Sequence, residues 1–293
     1  MSALPLTFYY DCTRGDDLLL GKMLQDFAAA GGENIVLNER MIEQIIDDPA
    51  YGRKLQKAFS AAGVSFLDAH APMGDTLDFN SPWVEDFRFL VLRHKLHLNI
   101  AAAMGIKTMT FHVGNDHVCP NDPLQRQFER IFRIIEQLLP EAEKLNIVMC
   151  LENIWLPVNT AESLWLIKNN FSSDNLGFCY DSGHANIMGK GCQYDESVAH
   201  VYWRKSGRDR VEWDSDVLEK LLPQIVNCHL HDNDGCCDSH SLPGRGNVDW
   251  QAVIGKLKQA PRLQVFQSET VMQENDTAAV LVKTFQNLLK QGR

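Results

Sequence analysis

The sequence predicts a (β/α)₈ barrel, and three observations carry that expectation. Short β-branched and aromatic runs alternate with amphipathic stretches along the chain, and eight such pairs can be counted. The connections are mostly short, and no low-complexity linker or charge block divides the chain. Its 293 residues would suggest two domains at roughly 150 residues each, but barrels of roughly 250 residues form one. A single barrel domain over residues 1–293 is therefore expected. A doubly wound open sheet is the rival, and eight units in this length fit it less well.

The elements follow in order. Leu4–Asp11 reads as a strand and Leu18–Ala30 as a helix closed by Gly31-Gly32. Asn34–Asn38 is a short strand; Met41–Ala62 is helical with a break near Pro49 and a stop at Gly63. Val64–His70 is the third strand, and the third helix runs from about Trp83 to Met104, with Gly105 past its end. Ile106–Val113 is followed by a helix over Pro123–Leu145, with Asp122 as its expected cap. The second half gives strands at Ile147–Ile154, Leu176–Asp181, Ile225–His231 and Leu263–Thr270. Helices are expected at Thr160–Asn169, Val217–Leu222, Trp250–Gln259 and Thr277–Lys290, with a longer irregular region after Asp181.

Composition narrows the class. With 45% apolar side chains, disorder is excluded, and no apolar run reaches the ~18 residues of a membrane span. Met1 to Tyr10 lacks a basic region followed by a long apolar stretch, so no secretion signal is expected. Eight Cys read as reduced thiols. A soluble, cytoplasmic protein is the expectation. Lys plus Arg total 28 against 38 Asp plus Glu, a formal charge of −10 that disfavours non-specific nucleic-acid binding.

In such a barrel the chemistry sits at the C-terminal ends of the strands. There the sequence places Asp68-Ala69-His70, Thr110-Phe111-His112, Leu151-Glu152-Asn153 and Tyr180-Asp181 with His184 three residues on. His229-Leu230-His231-Asp232 and Ser268-Glu269-Thr270 complete the set. Six consecutive strands thus deliver a His, Asp or Glu to one rim. Imidazoles mixed with carboxylates suit Zn²⁺ or Mn²⁺, and clustered carboxylates repel unless a cation lies between them. His229 and His231 share a strand face; His229 reads as the ligand and His231 as a supporting or substrate contact.

The remaining candidates divide less evenly. His94 and His97 fall on the polar side of the third helix and read as surface residues, as do His117 and His200 in loops. Cys150, Cys179 and Cys228 lie inside strands and read as small packing residues. Cys236-Cys237 lacks paired CxxC spacing, and Ser182 has no nucleophile-elbow pattern around it. In the loop Asp238 to Trp250, Asp249 reads as a helix cap, Gly246 as a turn residue, and Asp238 with His240 as two further ligand candidates. Arg245 there is a candidate contact for an anionic or hydroxylated substrate.

On these residues the chain resembles the xylose-isomerase-like barrel superfamily, which includes sugar isomerases, epimerases and the endonuclease IV type of apurinic-site nuclease. The resemblance spans nearly the whole chain. In the epimerase and inosose-processing branches it implies one divalent metal, Mn²⁺ or Zn²⁺, on Glu152, Asp181, His229 and Glu269, with the two glutamates as the acid/base pair. His184 matches a substrate-contacting position, and His231-Asp232-Asn233-Asp234 running into Pro243–Trp250 is typical of the sugar branch. In the nuclease branch it implies three zinc ions: His70, His112 and Glu152 on one, the four residues above on the second, and His184, Asp238 and His240 on the third. Met73 stands where that nuclease places a wedging tyrosine, and His231-Asp232-Asn233-Asp234 replaces its Asn-Asp-Ser-Lys segment. Val158 and Gly235 stand where ketose epimerases carry a substrate-binding Glu and Arg.

The expectation is a divalent-metal-dependent isomerase or epimerase of a sugar or cyclitol, with His184, His231 and Arg245 orienting hydroxyls and self-assembly into a homo-oligomer. The alternatives are zinc-dependent phosphodiester hydrolysis at abasic DNA, a related dehydratase, and a barrel that only binds a ligand.

Overall fold

A computed structural model describes residues 4–83 and 87–291. The order is β1 (Leu6–Phe8), α1 (Asp17–Ala29), β2 (Asn34–Leu37), α2 (Glu39–Asp47), α3 (Pro49–Ala62), β3 (Ser65–His70), α4 (Phe87–Ala103) and β4 (Thr108–Phe111). It continues with α5 (Leu124–Leu145), β5 (Val148–Glu152), α6 (Ala161–Lys168), β6 (Leu176–Asp181), α7 (Ser182–Lys190) and α8 (Val198–Lys205). The last elements are α9 (Val217–Leu221), β7 (Ile225–Leu230), α10 (Trp250–Leu257), β8 (Val265–Ser268) and α11 (Ala278–Gln291). The strands pair in sequence order, all parallel, and β8 returns to β1, so the sheet closes into the expected (β/α)₈ barrel. No described helix is long and apolar enough to cross a membrane.

Local chemistry sets the element ends. Asp16, Asn38 and Asp249 each accept a hydrogen bond from the backbone N–H three residues on, fixing the starts of α1, α2 and α10. Asp48 ends α2 and caps α3, with Pro49 preset at the first helical position. Gly63 closes α3 at φ 70°, a conformation costly for any side chain with a Cβ. Asp122 departs from expectation: α5 starts without a side-chain cap, because the Asp122 carboxylate is taken by Arg130 two turns along.

Two helices lie in the region expected to be irregular. Ser182, Gly183 and Gly189 weaken the intrinsic helix signal of α7; what secures it is Asp181, whose carboxylate accepts from His184 N at 2.6 Å. α8 is a short amphipathic helix that buries Ala199 and Trp203. Part of the helix expected from Trp83, residues 84–86, lies outside the described residues, as do residues 1–3.

Contrary to expectation, His94 and His97 are buried. α4 faces them inward with Leu90 and Leu98, and exposes Phe89, Leu92 and Leu96 instead. With apolar residues on both faces, its buried side cannot be read from periodicity. The His94 Nε2–H donates to Leu77 O at 2.7 Å, and its ring packs edge-on against Phe79. Of the loop histidines, His117 and His200 are half-buried rather than free, His117 against Tyr202 and His200 against Trp213.

Burial lowers the His94 pKa to about 4 and that of His97 to about 2. An unfolded imidazole takes its proton near 6.5, so between about 6.5 and 4 the unfolded chain binds more protons. Stability therefore falls as pH drops through that window. Urea unfolding of chelator-treated protein is expected to show this fall, and a His94→Gln variant a shallower one; equal slopes would contradict neutral burial of His94.

Candidate metal centre

The barrel's parallel register brings the strand ends together. Asp181 pairs with His229 across β6 and β7, and Glu152 with Cys179 across β5 and β6. The nine ligand candidates His70, His112, Glu152, Asp181, His184, His229, Asp238, His240 and Glu269 converge on one rim. Glu152, buried, is the hub: Nε2 of His112 lies 2.9 Å and Nε2 of His70 3.5 Å from one oxygen, and Nδ1 of His229 lies 3.0 Å from the other. The same His229 nitrogen is 3.0 Å from Glu269 Oε2. Donor atoms of Glu152, Asp181, His229 and Glu269 all fall within 4.8 Å of one another. A second group, His184, His231, Asp238 and His240, satisfies the same criterion.

Three imidazoles are oriented in a manner suited to metal binding. The Nδ1–H groups of His70, His184 and His240 each donate to a backbone carbonyl, of Ala71, Asn153 and Glu269, at 2.8–2.9 Å. That fixes the ring orientation and turns Nε2 towards the carboxylates, where it offers a lone pair once its proton is lost. His229 is turned the other way: Nε2 meets Thr110 Oγ1 at 3.2 Å, and Nδ1 faces Glu152 and Glu269. Two ligands of a tetrahedral zinc with bonds of about 2.0–2.1 Å sit roughly 3.3 Å apart. The observed donor separations of 2.9–3.6 Å bracket that value. Asp181 Oδ2, buried, has no hydrogen-bond partner. The residues fit a divalent cation.

The charges within the site compensate one another. Burial opposes ionisation of Glu269, yet His229 beside it takes its carboxyl down to about 2. Glu152, equally disfavoured by burial, is held well below the usual range by His229 and His112. Burial also disfavours protonation of His70, but Glu152, Glu39 and Glu269 overcome it and raise the pKa to about 9. His240 rises to about 9 against its burial, through Asp238 and Glu269.

A cavity of about 410 Å³ opens above these groups, walled by Ile154, Trp155, Leu156, Met73 and Tyr202 with His184, Asp238 and His240. A larger groove of about 750 Å³ lies between α1 and the loop after β8, but it gathers no comparable set of acids and imidazoles. Arg245 forms a surface pair with Asp276 outside the 410 Å³ cavity, and His231 is fully buried rather than part of its wall. Cys150, Cys179 and Cys228 are buried packing residues, as expected. Asp249 caps α10 as expected. Gly246 is needed for close approach, since a Cβ there would lie 2.2 Å from Asn233 O.

Several supporting roles were not read from the sequence. Asp68 accepts from Thr108 at 2.6 Å and from Asn227 at 3.0 Å, and Asn227 donates to Thr110 at 2.9 Å. This chain crosses the barrel interior to His229. Asp68, Thr110 and Asn227 each stand two residues before His70, His112 and His229, so the same-face period of a strand was the available signal. Asp232, read as a rim charge, is instead buried: its carboxylate accepts from the N–H groups of Asn233, Gly244 and Val248 and from Trp250 Nε1, at 2.8–3.1 Å. Asp234 is exposed.

The family model described as "Xylose isomerase-like TIM barrel" matches residues 25–278. The chain belongs to that family. The xylose isomerase-like barrel is 27% identical over 164 residues to the uncharacterized protein y4fM of Sinorhizobium fredii, an alignment covering 54% of this chain and 45% of that one. This chain spans less than half the length of the curated relatives it matches. Among solved structures it resembles a D-tagatose 3-epimerase-like protein, with a TM-score of 0.74 and 20% identity over 99% of this chain and 98% of the other. It also resembles an IolI protein with a bound zinc atom, with a TM-score of 0.69 and 18% identity over 99% of both chains. At these identities the likeness is one of fold.

Two outcomes follow for the xylose isomerase-like site. His70 and His240 hold protons up to about pH 9, so zinc held by these imidazoles would have to displace them. Its affinity is expected to climb from neutral pH towards 9 with measurable proton release; a flat profile would contradict ligation by these imidazoles. Thr110→Val, which removes the partner of His229 Nε2, should weaken zinc binding about 10–100-fold by competition titration. Unchanged affinity would leave Thr110 a packing residue.

Proposed function

We propose that this xylose isomerase-like barrel is a divalent-metal-dependent isomerase or epimerase of a sugar or cyclitol. One observation carries the reading: carboxylates from β5 and from the end of β8 flank the same His229 nitrogen, 3.0 Å from each. A divalent cation on Glu152, Asp181, His229 and Glu269 would polarise a substrate carbonyl and make the adjacent C–H more acidic. Zn²⁺ and Mn²⁺ both suit that ligand set.

The chain's own part is to move the proton. Glu152 and Glu269 are both held ionised, so either can take a proton, and the one that has taken it can return it. Return by the same glutamate to the neighbouring carbon would give isomerisation, whereas delivery to the opposite face of the same carbon by the other glutamate, after it has taken a proton from solvent, would give epimerisation. Loss of a neighbouring hydroxyl would make the same chemistry a dehydration. His184 in the cavity wall is placed to contact hydroxyls, with Trp155 and Tyr202 as apolar and hydrogen-bonding surface. Buried Val158 and Gly235 at φ 85° offer no charged group at the positions where ketose epimerases bind substrate, so the substrate is held differently.

The convergence of His184, Asp238 and His240 beside the first set favours a second reading, zinc-dependent cleavage of abasic DNA. Against it stand Met73 at the mouth and exposed Asp234.

The test is substrate-dependent exchange of a carbon-bound proton with deuterated solvent, screened over keto sugars and inososes. Exchange is expected with the metal-loaded protein, falling about 10²–10⁴-fold in Glu152→Gln and Glu269→Gln. Cleavage of an abasic duplex with no exchange on any sugar would contradict the proposal.

A further inference from the structure

The proton-transfer chemistry uses one of three cavities that run into one another. The cavity of about 410 Å³ shares His70, Met73, His240 and Glu269 with a passage of about 150 Å³. That passage shares Tyr9, Thr270 and Val271 with the groove of about 750 Å³ between α1 and the loop after β8. Small-molecule sites span roughly 300–1,000 Å³. Cavity and groove are therefore each large enough to hold a ring, whereas the passage only connects them. A lone sugar at the rim would leave the groove unused.

The walls beyond the rim carry acceptors and apolar surface. In the passage, Tyr9 Oη–H donates to Glu39 Oε1 at 2.7 Å, while Glu39 Oε2, buried, has no partner among the described residues. In the groove, Asp11 gives one carboxylate oxygen to Arg14, and its Oδ1 is buried and unpaired in the same sense. Buried acceptors left without donors cost roughly 1–3 kcal/mol each, and the hydroxyls of a ligand would supply the donors. Met73 and Val271 are exposed although apolar, and they stand at the two ends of the passage. Met23 and Met272 add adaptable apolar surface in the groove, suited to the C–H face of a sugar.

Charge narrows the ligand further. Arg14 is paired with Asp11 and Arg245 with Asp276, so an anionic group finds no spare cation in the groove among the described residues. Asp26 adds a further acid to its wall. A phosphate or carboxylate is disfavoured there, and a neutral, hydroxylated group is not. With no charged group at Val158 or Gly235, the grip on the substrate moves to the side of β1, β2 and β8.

We propose that the substrate is a neutral glycoside, a keto sugar or cyclitol at the rim carrying a second sugar ring that lies in the groove between α1 and the loop after β8. The linking oxygen threads the passage. Glu39 accepts from a hydroxyl of the first ring and Asp11 from one of the second. This inference names the substrate class of the site and rests on the proton-transfer reading.

The experiment measures exchange with deuterated solvent, as kcat/KM, for keto sugars and inososes, each compared with its own glucosyl derivative on the metal-loaded full-length protein. At least one glucosyl derivative is expected to exceed its parent about 10-fold, the worth of one or two hydrogen bonds. Ala29→Trp and Ala279→Trp, at exposed positions of the groove wall to which no ligand contact is assigned, should fill the groove and erase that advantage. The parent sugar's kcat/KM should stay unchanged. Circular dichroism checks folding; if neither tryptophan variant folds, Asp11→Ala decides, and it should lose most of the advantage. Parents that match every glucosyl derivative, at rates these variants do not move, overturn this proposal alone. A phosphorylated keto sugar that outperforms the neutral derivatives does the same. Exchange on no sugar overturns the proton-transfer function, and saturation-transfer NMR of the glucosyl derivatives then decides the groove. Contact to both rings, lost from the second in Ala29→Trp, supports it; contact to the keto ring alone, or to neither, overturns it.

Discussion

A buried carboxylate at the end of β5 governs the rest of this structure. Glu152 cannot stay ionised inside a barrel unless positive charge surrounds it, and His70, His112, His184 and His229 all approach it within 3.6 Å. Those imidazoles come from four different places in the chain. Satisfying one carboxylate therefore ties β3, β4, β7 and α7 to a common point. Glu269 and Asp181 bring two further negative charges to the same place, which raises the demand for positive charge. In the metal-free state protons on His70, His184 and His229 meet it, and a divalent cation would meet it with fewer groups and no mobile protons.

The rim is supported from below and from the side. Beneath it, Asp68, Thr108, Asn227 and Thr110 form a hydrogen-bonded chain across the barrel, so His229 has a partner on each ring nitrogen. Beside it, Asp232 gathers four donors and folds the loop after β7 back on itself, where Asp238 and His240 reach the cavity. His240 adopts φ 43°, uncommon for a residue with a Cβ, and its Nδ1–H is anchored on Glu269 O. Loop and strand end are thereby coupled directly.

The barrel was legible because its signals are periodic and repeated. Eight alternations survive errors in any one of them, and strand ends locate the chemistry in this architecture wherever the exact boundary falls. β1 is shorter than the Leu4–Asp11 expected, yet that changes nothing at the rim. What escaped notice depended on tertiary partners. α7 owes its start to the Asp181 carboxylate, α4 buries histidines while exposing Phe89 and Leu92, and Asp122 answers to Arg130. The pairing of Arg245 with Asp276, 31 residues on, gave no local sign either. Asp232 gathers its four donors from the loop that follows it, which no local pattern announces. Such choices are settled by which groups meet after folding.

The most direct measurement is anomalous diffraction from crystals grown with zinc, recorded on both sides of the zinc absorption edge. A peak is expected between Glu152, Asp181, His229 and Glu269, about 2.0–2.2 Å from their donor atoms. Its absence from well-ordered density, with the carboxylates still converging on His229, would show that imidazolium protons alone hold the rim together.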